Sequence, residues 1–323
     1  MLTLYAVVPC YNEEEVLPQS AEILRNKWLS LIQGGMISPD SRITLVDDGS
    51  KDRTWEIIES LCAPADSLFC AVKLSHNRGH QAALLAGLET CMDVCDAAVS
   101  LDADLQDDID VIDQFIQEYE SGCDIVYGVR SDRSSDSAAK RITAQGYYKF
   151  LKLLGVDILY NHADYRLMSR RALHALSQYR ESNLFLRGII PELGFPSAVV
   201  TYARKERQAG ESKYTLSKML KLAFDGITSF SVRPIRLLSA VGVLTLLVAV
   251  ALMIYTLVRH FTGNTVSGWA SLMISIWFLG GLNLLALGIV GEYIGKIYGE
   301  VKQRPRYIVE KTLGDALRDR EAK

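Results

Sequence analysis

The sequence has little net charge and no paired cysteine motif, and both absences exclude classes of protein. Its 35 Lys and Arg residues nearly balance 38 Asp and Glu residues, which leaves a formal net charge of −3. We therefore expect no nucleic-acid partner. The 6 cysteines lie between Cys10 and Cys123 without a CxxC pair, which favours reduced cytosolic thiols over disulfides or a zinc site. The first residues lack the basic segment of a signal peptide, so none is expected.

Long uncharged runs are missing before residue 237 and occur twice after it. Leu237–Val258 and Trp269–Val290 carry no charged residue, and as helices each would span about 33 Å, enough to cross a bilayer core. Basic residues flank the pair on both outer sides, which by the positive-inside rule puts both ends in the cytoplasm. The sequence thus predicts a multi-pass protein of the cell (inner or plasma) membrane. We expect a cytoplasmic domain over residues 1–232, a transmembrane hairpin over 233–294 and a cytoplasmic tail over 295–323.

Short apolar segments alternate with helical patterns before the hairpin. The strand-like segments are LTLYAVVP, RITLVDD, FCAVKLS, AAVSLDAD and DIVYGVR. The helical patterns cover Val16–Leu31, Thr54–Leu61, Gln81–Cys91 and Val111–Tyr119. This alternation predicts an α/β domain with a mostly parallel sheet and helices on both faces. Ligands of such sheets bind at the carboxyl ends of the strands, so the polar residues that follow each strand are the candidates for a site.

The first two strands end in polar turns. VVPCYNEEE places Tyr11 and Glu13 after the first strand, and VDDGSKDRT places Asp47 at the end of the second. A carboxylate at the position of Asp47 can accept a hydrogen bond from a nucleobase imide or a ribose. Capped helix starts and ordinary βα turns explain the same residues equally well, so neither motif decides the function alone.

The fourth strand is followed by SLDADLQDD. If the chain stays extended there, Asp102 and Asp104 point the same way and can share one cation, with Gln106 as a further oxygen ligand. Hard oxygen ligands favour Mg²⁺ or Mn²⁺, completed by phosphate oxygens.

Together these motifs resemble the family 2 glycosyltransferases of the GT-A fold. Within that family the resemblance is to polyprenyl-phosphate glycosyltransferases, such as bactoprenol glucosyltransferases and dolichol-phosphate mannose synthases. It covers nearly the whole chain, including LSHNRGHQAALLAGL, YGVR, DYRLMSRRAL, RQAGESKY and the terminal helix pair. One departure follows the DADLQD segment. Many relatives have Pro-Pro or His-Pro there, whereas this chain continues Asp107-Asp108-Ile109.

The resemblance implies a role for each matching residue. The positions that match the site for the nucleotide sugar are Pro9, Tyr11, Glu13, Asp47, Asn77 and Lys213. The arginines that match the grip on the acceptor phosphate are Arg130 and Arg141, which Arg166 can join. The residues that match the site for Mg²⁺ or Mn²⁺ are Asp102, Asp104 and Gln106. The expected catalytic set is Asp102, Asp104, Arg130 and Arg141.

The resemblance also implies the reaction. A hexose would pass with inversion from UDP-glucose or UDP-N-acetylglucosamine to undecaprenyl phosphate at the cytoplasmic membrane face, for modification of a cell-envelope glycan. Ile142–Leu154 and Tyr214–Phe230 are basic and amphipathic, which fits interfacial helices, although helices packed on the sheet share this pattern. Gly280-Gly281 and Gly288-x₂-Gly291 would allow the close helix packing of a homo-oligomer.

Two other interpretations share part of the pattern. Processive polysaccharide synthases resemble the same fold but usually have more membrane spans and a QxxRW motif, which this sequence lacks. A non-catalytic membrane protein could use a degenerate GT-A domain to bind nucleotides, but the intact Asp102/Asp104 pair and Arg130 argue against it. No motif chooses between glucose and N-acetylglucosamine.

Overall fold

A computed structural model describes residues 1–64, 66–130, 162–181, 186–202, 233–262, 268–314 and 317. Arg141 and Lys213 lie outside these residues, as do the predicted interfacial segments 142–154 and 214–230. Their roles stay predictions.

The described chain forms one 8-stranded sheet with the order β7-β5-β6-β4-β1-β2-β3-β8. The strands are β1 Leu4–Cys10, β2 Arg42–Asp47, β3 Phe69–Leu74, β4 Ala97–Ser100, β5 Ile125–Arg130, β6 His162–Ser169, β7 Ser197–Tyr202 and β8 Val309–Leu313. β1 to β4 pair in parallel, and so do β5 and β7, whereas β6 and β8 run antiparallel to their neighbours. The predicted α/β domain with a mostly parallel sheet is confirmed, and β1 to β5 are the strands expected from the sequence.

Helices cover the sheet. They are α1 Leu17–Gln33, α2 Thr54–Cys62, α3 His80–Cys91, α4 Ile112–Glu120, α5 Arg170–Ser177 and α6 Leu186–Glu192. The first four lie where the helical patterns predicted them. Trp28 of α1 and Phe115 of α4 are fully buried in the core. α3 packs closely on the sheet, since a Cβ on Gly87 would lie 2.3 Å from Val7 Cγ1 and 2.7 Å from Val46 Cγ2. The glycine thereby fixes the depth at which α3 lies on β1 and β2.

The strand directions gather the polar loops at one edge of the sheet. The carboxyl ends of β1 to β5 all lie there, because β4 and β5 both run antiparallel to β6, which lies between them. The amino end of β6 meets the same edge. Residues from six strands can therefore contribute to one site.

Two long helices belong to a second compact unit. They are α7 Arg233–Phe261 and α8 Trp269–Val301, so both apolar runs are helical as expected. Within the described residues, Phe278–Val301 is long and apolar enough to cross a membrane, and Leu238–Leu252 is a shorter apolar stretch. That both helices cross a membrane stays a prediction.

The chain after α8 rejoins the sheet. Residues 304–314 belong to the same compact unit as the sheet, and β8 pairs antiparallel with β3. The sequence predicted only a tail here, because the five residues of β8, VEKTL, are short and mix apolar with charged side chains. Leu317 beyond it is buried, at 3% exposure.

Candidate active site

The loops after β1 and β2 are tied together by hydrogen bonds. The Asn12 side chain accepts a hydrogen bond from the Lys51 amide at 2.9 Å, and the Asn12 amide donates to Ser50 Oγ at 3.1 Å. The Glu13 amide donates to Thr54 Oγ1 at 2.8 Å. Tyr11 at the head of this loop keeps 41% of its surface exposed. The structure thus brings the predicted Tyr11 and Glu13 beside the turn that follows Asp47.

Asp47 ends β2 as a fully buried carboxylate. Its Oδ1 accepts a hydrogen bond from the Ser50 amide at 3.3 Å, while Oδ2 has no hydrogen-bond partner among the described residues. Burial raises the pKa of Asp47 above its ordinary value. A buried carboxylate oxygen without a partner is costly, which makes it a place where a ligand's N–H or O–H group would be bound favourably.

Asp48 fastens the loop after β3 to this turn. Its two oxygens accept hydrogen bonds from the amides of Arg78 and Gly79, at 2.7 and 2.9 Å. Gly49 has a φ of 66°, and a Cβ there would lie 2.6 Å from the Asn77 nitrogen. The close approach places the exposed Asn77 at the same edge as Asp47, as the resemblance implied.

Asp102 and Asp104 lie in a turn rather than in extended chain. β4 ends at Ser100, and the Leu105 amide closes the turn on the Asp102 carbonyl at 3.1 Å. The expected alternation of faces therefore does not apply. Asp102 Oδ1 contacts His80 Nε2 at 3.0 Å, and Asp104 Oδ2 accepts a hydrogen bond from Gln106 Nε2 at 2.7 Å.

The oxygen donors after β4 suit a hard cation that a ligand helps to hold. The described residues contain no group of three or more His, Cys, Asp or Glu side chains arranged for a metal ion. Two carboxylates and an amide are a small set, but Mg²⁺ is commonly bound by one or two carboxylates together with substrate phosphates. Asp102, with 43% of its side chain exposed, is accessible to such a ligand.

Arg130, the last residue of β5, is held by a carboxylate that the sequence analysis did not assign. Its Nη2 and Nε lie 3.1 and 3.3 Å from Asp107 Oδ1. The Asp107 side chain is 5% exposed and that of Arg130 30%. Although burial opposes the charge, Asp107 and the neighbouring Tyr202 raise the pKa of Arg130 above its ordinary value. Asp108, which belongs to the segment that departs from many relatives, caps the turn at Ile109–Val111. Its side chain accepts a hydrogen bond from the Asp110 amide.

Arg166 lies inside the domain, at 1% exposure, and forms an ion pair with Asp164. Asp164 also binds Arg187 of α6, whose Nη2 and Nε lie 3.0 and 3.2 Å from it. Burial acts to raise the pKa of Asp164, but the two guanidinium groups overcome it and lower that pKa to about 2. Arg166 Nε and Nη1 have no hydrogen-bond partner among the described residues. A contact between Arg166 and an acceptor phosphate stays a prediction.

Sequence reasoning assigned no role to three side chains of this edge: Asp107, Asp164 and Arg187. Asp164 had a signal, since it lies two residues from Arg166 and so on the same side of a strand. Asp107 belonged to an acidic run whose partner could not be read from spacing. Arg187 had no signal, because it comes from a short helix distant in sequence from β6.

A mostly parallel sheet with a buried carboxylate at the end of β2 and acidic residues after β4 is the arrangement of a GT-A-like domain. Residues 5–177 match the family model described as Glycosyl transferase family 2, and residues 233–297 match the one described as GtrB C-terminal hairpin. The chain belongs to glycosyl transferase family 2 and is a glycosyltransferase.

Its relatives match over nearly their whole length. The uncharacterized glycosyltransferase YkoT of Bacillus subtilis (strain 168) is 51% identical, over 95% of this chain and 91% of the relative. The SfII prophage-derived bactoprenol glucosyl transferase of Shigella flexneri is 41% identical, over 95% and 97%. The prophage bactoprenol glucosyl transferase homolog of Escherichia coli (strain K12) is 40% identical, over 94% and 97%. The chain thus resembles the bactoprenol glucosyl transferases in both of its matched regions.

Proposed function

We propose that this enzyme transfers a hexose from a UDP-sugar to undecaprenyl phosphate at the cytoplasmic face of the cell membrane. UDP-glucose and UDP-N-acetylglucosamine are the donors considered. The product would be a lipid-phosphate-linked sugar for modification of a cell-envelope glycan. The acceptor is proposed from the names of the bactoprenol glucosyl transferases, to which the chain is about 40% identical.

The observation that carries the donor side is the unpartnered Oδ2 of buried Asp47. A uracil imide N–H is a donor of the required kind, and the exposed ring of Tyr11 lies nearby on the adjoining loop. The diphosphate would then extend along the sheet edge, past the end of β1, toward Asp102 and Asp104, which follow β4. Those two carboxylates, with Gln106, would hold Mg²⁺ or Mn²⁺, and a bound cation would neutralise charge on the leaving diphosphate.

The acceptor side rests on Arg130 and its partner. A guanidinium group suits a phosphate because its N–H groups bind two oxygens at once. Asp107 contacts both Nη2 and Nε of Arg130 through one oxygen, which fixes the direction in which the group faces. Arg141 and Lys213, outside the described residues, are proposed to add to the grip on the acceptor and donor phosphates.

The proposed step is a direct displacement at the anomeric carbon without a dedicated general base. A lipid phosphate with a second pKa of about 6 is largely a dianion at neutral pH, so it needs no proton acceptor to attack. Asp164 is poorly suited to be one, since its two arginine partners hold its pKa at about 2. The product would have the inverted configuration.

The return of the chain to the sheet supports a hairpin that crosses the membrane twice. β7 precedes α7 and β8 follows α8, and both strands belong to the same sheet. A chain that leaves the sheet after β7 and returns to it at β8 favours two crossings over one. Basic residues at both ends of the helix pair support the cytoplasm as the side on which those ends lie.

A donor panel with undecaprenyl phosphate tests the proposal. The full chain in detergent is mixed with each nucleotide sugar, and the lipid product is identified by mass spectrometry and its anomer by NMR. Transfer of one hexose with inversion is expected, and Asp104→Asn should abolish it. A polymer would favour a processive synthase, and no transfer or hydrolysis with any donor would favour a non-catalytic binding protein.

A further inference from the structure

The segment that follows α8 contacts both sides of the loop that joins β3 to α3. On the β3 side, the Ile308 carbonyl accepts a hydrogen bond from the Ser75 amide at 3.0 Å, where the β3–β8 ladder has a register shift. On the α3 side, Arg306 Nη2 lies 2.7 Å from Glu89 Oε1, and the Tyr307 hydroxyl donates to the other oxygen of Glu89. Three consecutive residues thus contact both elements that the loop joins, next to the loop on β3 and near the C-terminal end of α3 at Glu89.

These contacts are built into the fold rather than formed by exposed chains. The side chains of Arg306 and Glu89 are 14% and 18% exposed, and Arg306 Nη1 also donates to the Tyr179 carbonyl at 2.7 Å. The Glu89 carboxylate binds the Arg306 guanidinium through one oxygen and the Tyr307 hydroxyl through the other, which fixes its direction. Partial burial strengthens both contacts. By contrast, the ion pair between Lys311 of β8 and Glu59 has 49% of each side chain exposed.

The loop that is held in this way carries donor-site residues. Arg78 and Gly79 give their amides to Asp48, and Asn77 packs on Gly49. α3 begins at His80, whose ring contacts Asp102, and Glu89 lies on the same rigid helix. A displacement of α3 or of the loop would therefore move groups on both the nucleotide side and the diphosphate side of the site.

We propose that Arg306, Tyr307 and Glu89 are positioning residues for the donor site. They fix α3 and the loop over residues 75–79, so that Asn77, His80 and the Asp48-bound amides face the nucleotide sugar in one arrangement. The proposal rests on the proposed function for the identity of the ligand, but the order of the loop can be measured without any donor.

The test uses the full chain in detergent with Tyr307→Phe and Glu89→Gln, and with Lys311→Ala as the matched control on β8. Both test variants should raise the KM for the nucleotide sugar about three- to tenfold, the scale of one ordinary intramolecular hydrogen bond, with kcat within about twofold of wild type. The control should leave both constants unchanged.

Hydrogen exchange at the amides of Arg78 and Gly79 gives the second readout. It should be faster in Tyr307→Phe and Glu89→Gln than in wild type and in the control, by more than any loss of global stability accounts for. A lowered melting temperature with unchanged KM and unchanged exchange would show a purely structural role and overturn the proposal. An equal rise of KM in Lys311→Ala would overturn it as well. Failure of wild type to use any donor would refute the proposed function, while the exchange measurement would still decide the positioning.

Discussion

The pair formed by Asp107 and Arg130 gives a sharp prediction for the acceptor side. Asp107→Ala removes the one oxygen that both Nη2 and Nε of Arg130 contact. The carboxylate is nearly buried and the guanidinium is about one-third exposed, so the pair lies between a surface ion pair, ~0–1 kcal/mol, and a broken buried one, ~3–5 kcal/mol. We expect a loss of about 2 kcal/mol in the free energy of unfolding, seen as a melting temperature lower by about 4–8 °C.

The effect on catalysis follows from orientation. Without Asp107 the guanidinium remains but can rotate, so the KM for undecaprenyl phosphate should rise about tenfold, which corresponds to ~1.4 kcal/mol. Arg130→Ala should raise it at least as much, and the double variant should be no worse than Arg130→Ala alone. The exposed pair of Glu59 and Lys311 provides the control, since Glu59→Ala should change stability by less than about 0.5 kcal/mol.

Additive losses of acceptor affinity in the double variant would refute the reasoning, because two residues that act through one contact are strongly coupled. An unchanged KM in Asp107→Ala together with a raised KM in Arg130→Ala would also refute the reasoning. In that case Arg130 would bind the phosphate in an orientation that Asp107 does not set.

Three further predictions concern the donor side and the buried carboxylates. Asp47→Asn should weaken UDP binding about tenfold or more by calorimetry without lowering the melting temperature, since it removes a buried charge; unchanged affinity would exclude Asp47 as the nucleobase acceptor. Asp104→Asn should abolish transfer in a folded protein, and full residual activity would refute the assignment of Asp104 as a metal ligand. Asp164 has a pKa of about 2 in the folded protein, against 3.8 for the free side chain. Its ion pairs therefore stabilise the fold fully above pH 3.8, and this stabilisation is lost as the pH falls toward 2. The stability of wild type relative to Asp164→Asn should therefore fall by about 2 kcal/mol as the pH is lowered from neutral to well below pH ~4; a difference that is constant with pH would contradict this.

The strand–helix alternation of the first 130 residues was sufficient to predict β1 to β5, because each strand is a short apolar run closed by turn residues. β6 and β7 gave no such signal. β6 contains Asp164 and Arg166, whose charges are compensated by each other and by Arg187, and β7 leaves Val199 half exposed. Tertiary pairing decides such strands, and local pattern does not reveal it.

The candidate site could likewise be predicted in part: its strand-end residues could be located from the sequence, and its tertiary contacts could not. Asp47, Asp102 and Asp104 could be located because a parallel sheet places strand ends at one edge. The contacts that orient the site could not be located from the sequence, because each joins residues from different elements. These contacts are His80–Asp102, Asp107–Arg130 and Asp164–Arg187. The expectation of an extended Asp102–Asp104 segment was wrong for a local reason, since β4 stops at Ser100 and the chain turns at once.

The place of β8 in the chain sets the order in which the enzyme can be completed during synthesis. β3 is made early, but the strand that covers its outer edge leaves the ribosome only after both long helices. Until then an unpaired strand edge is available to other chains. Closure of the sheet therefore has to wait until both helices have been synthesised, and a chain cut short after α8 would keep this edge open.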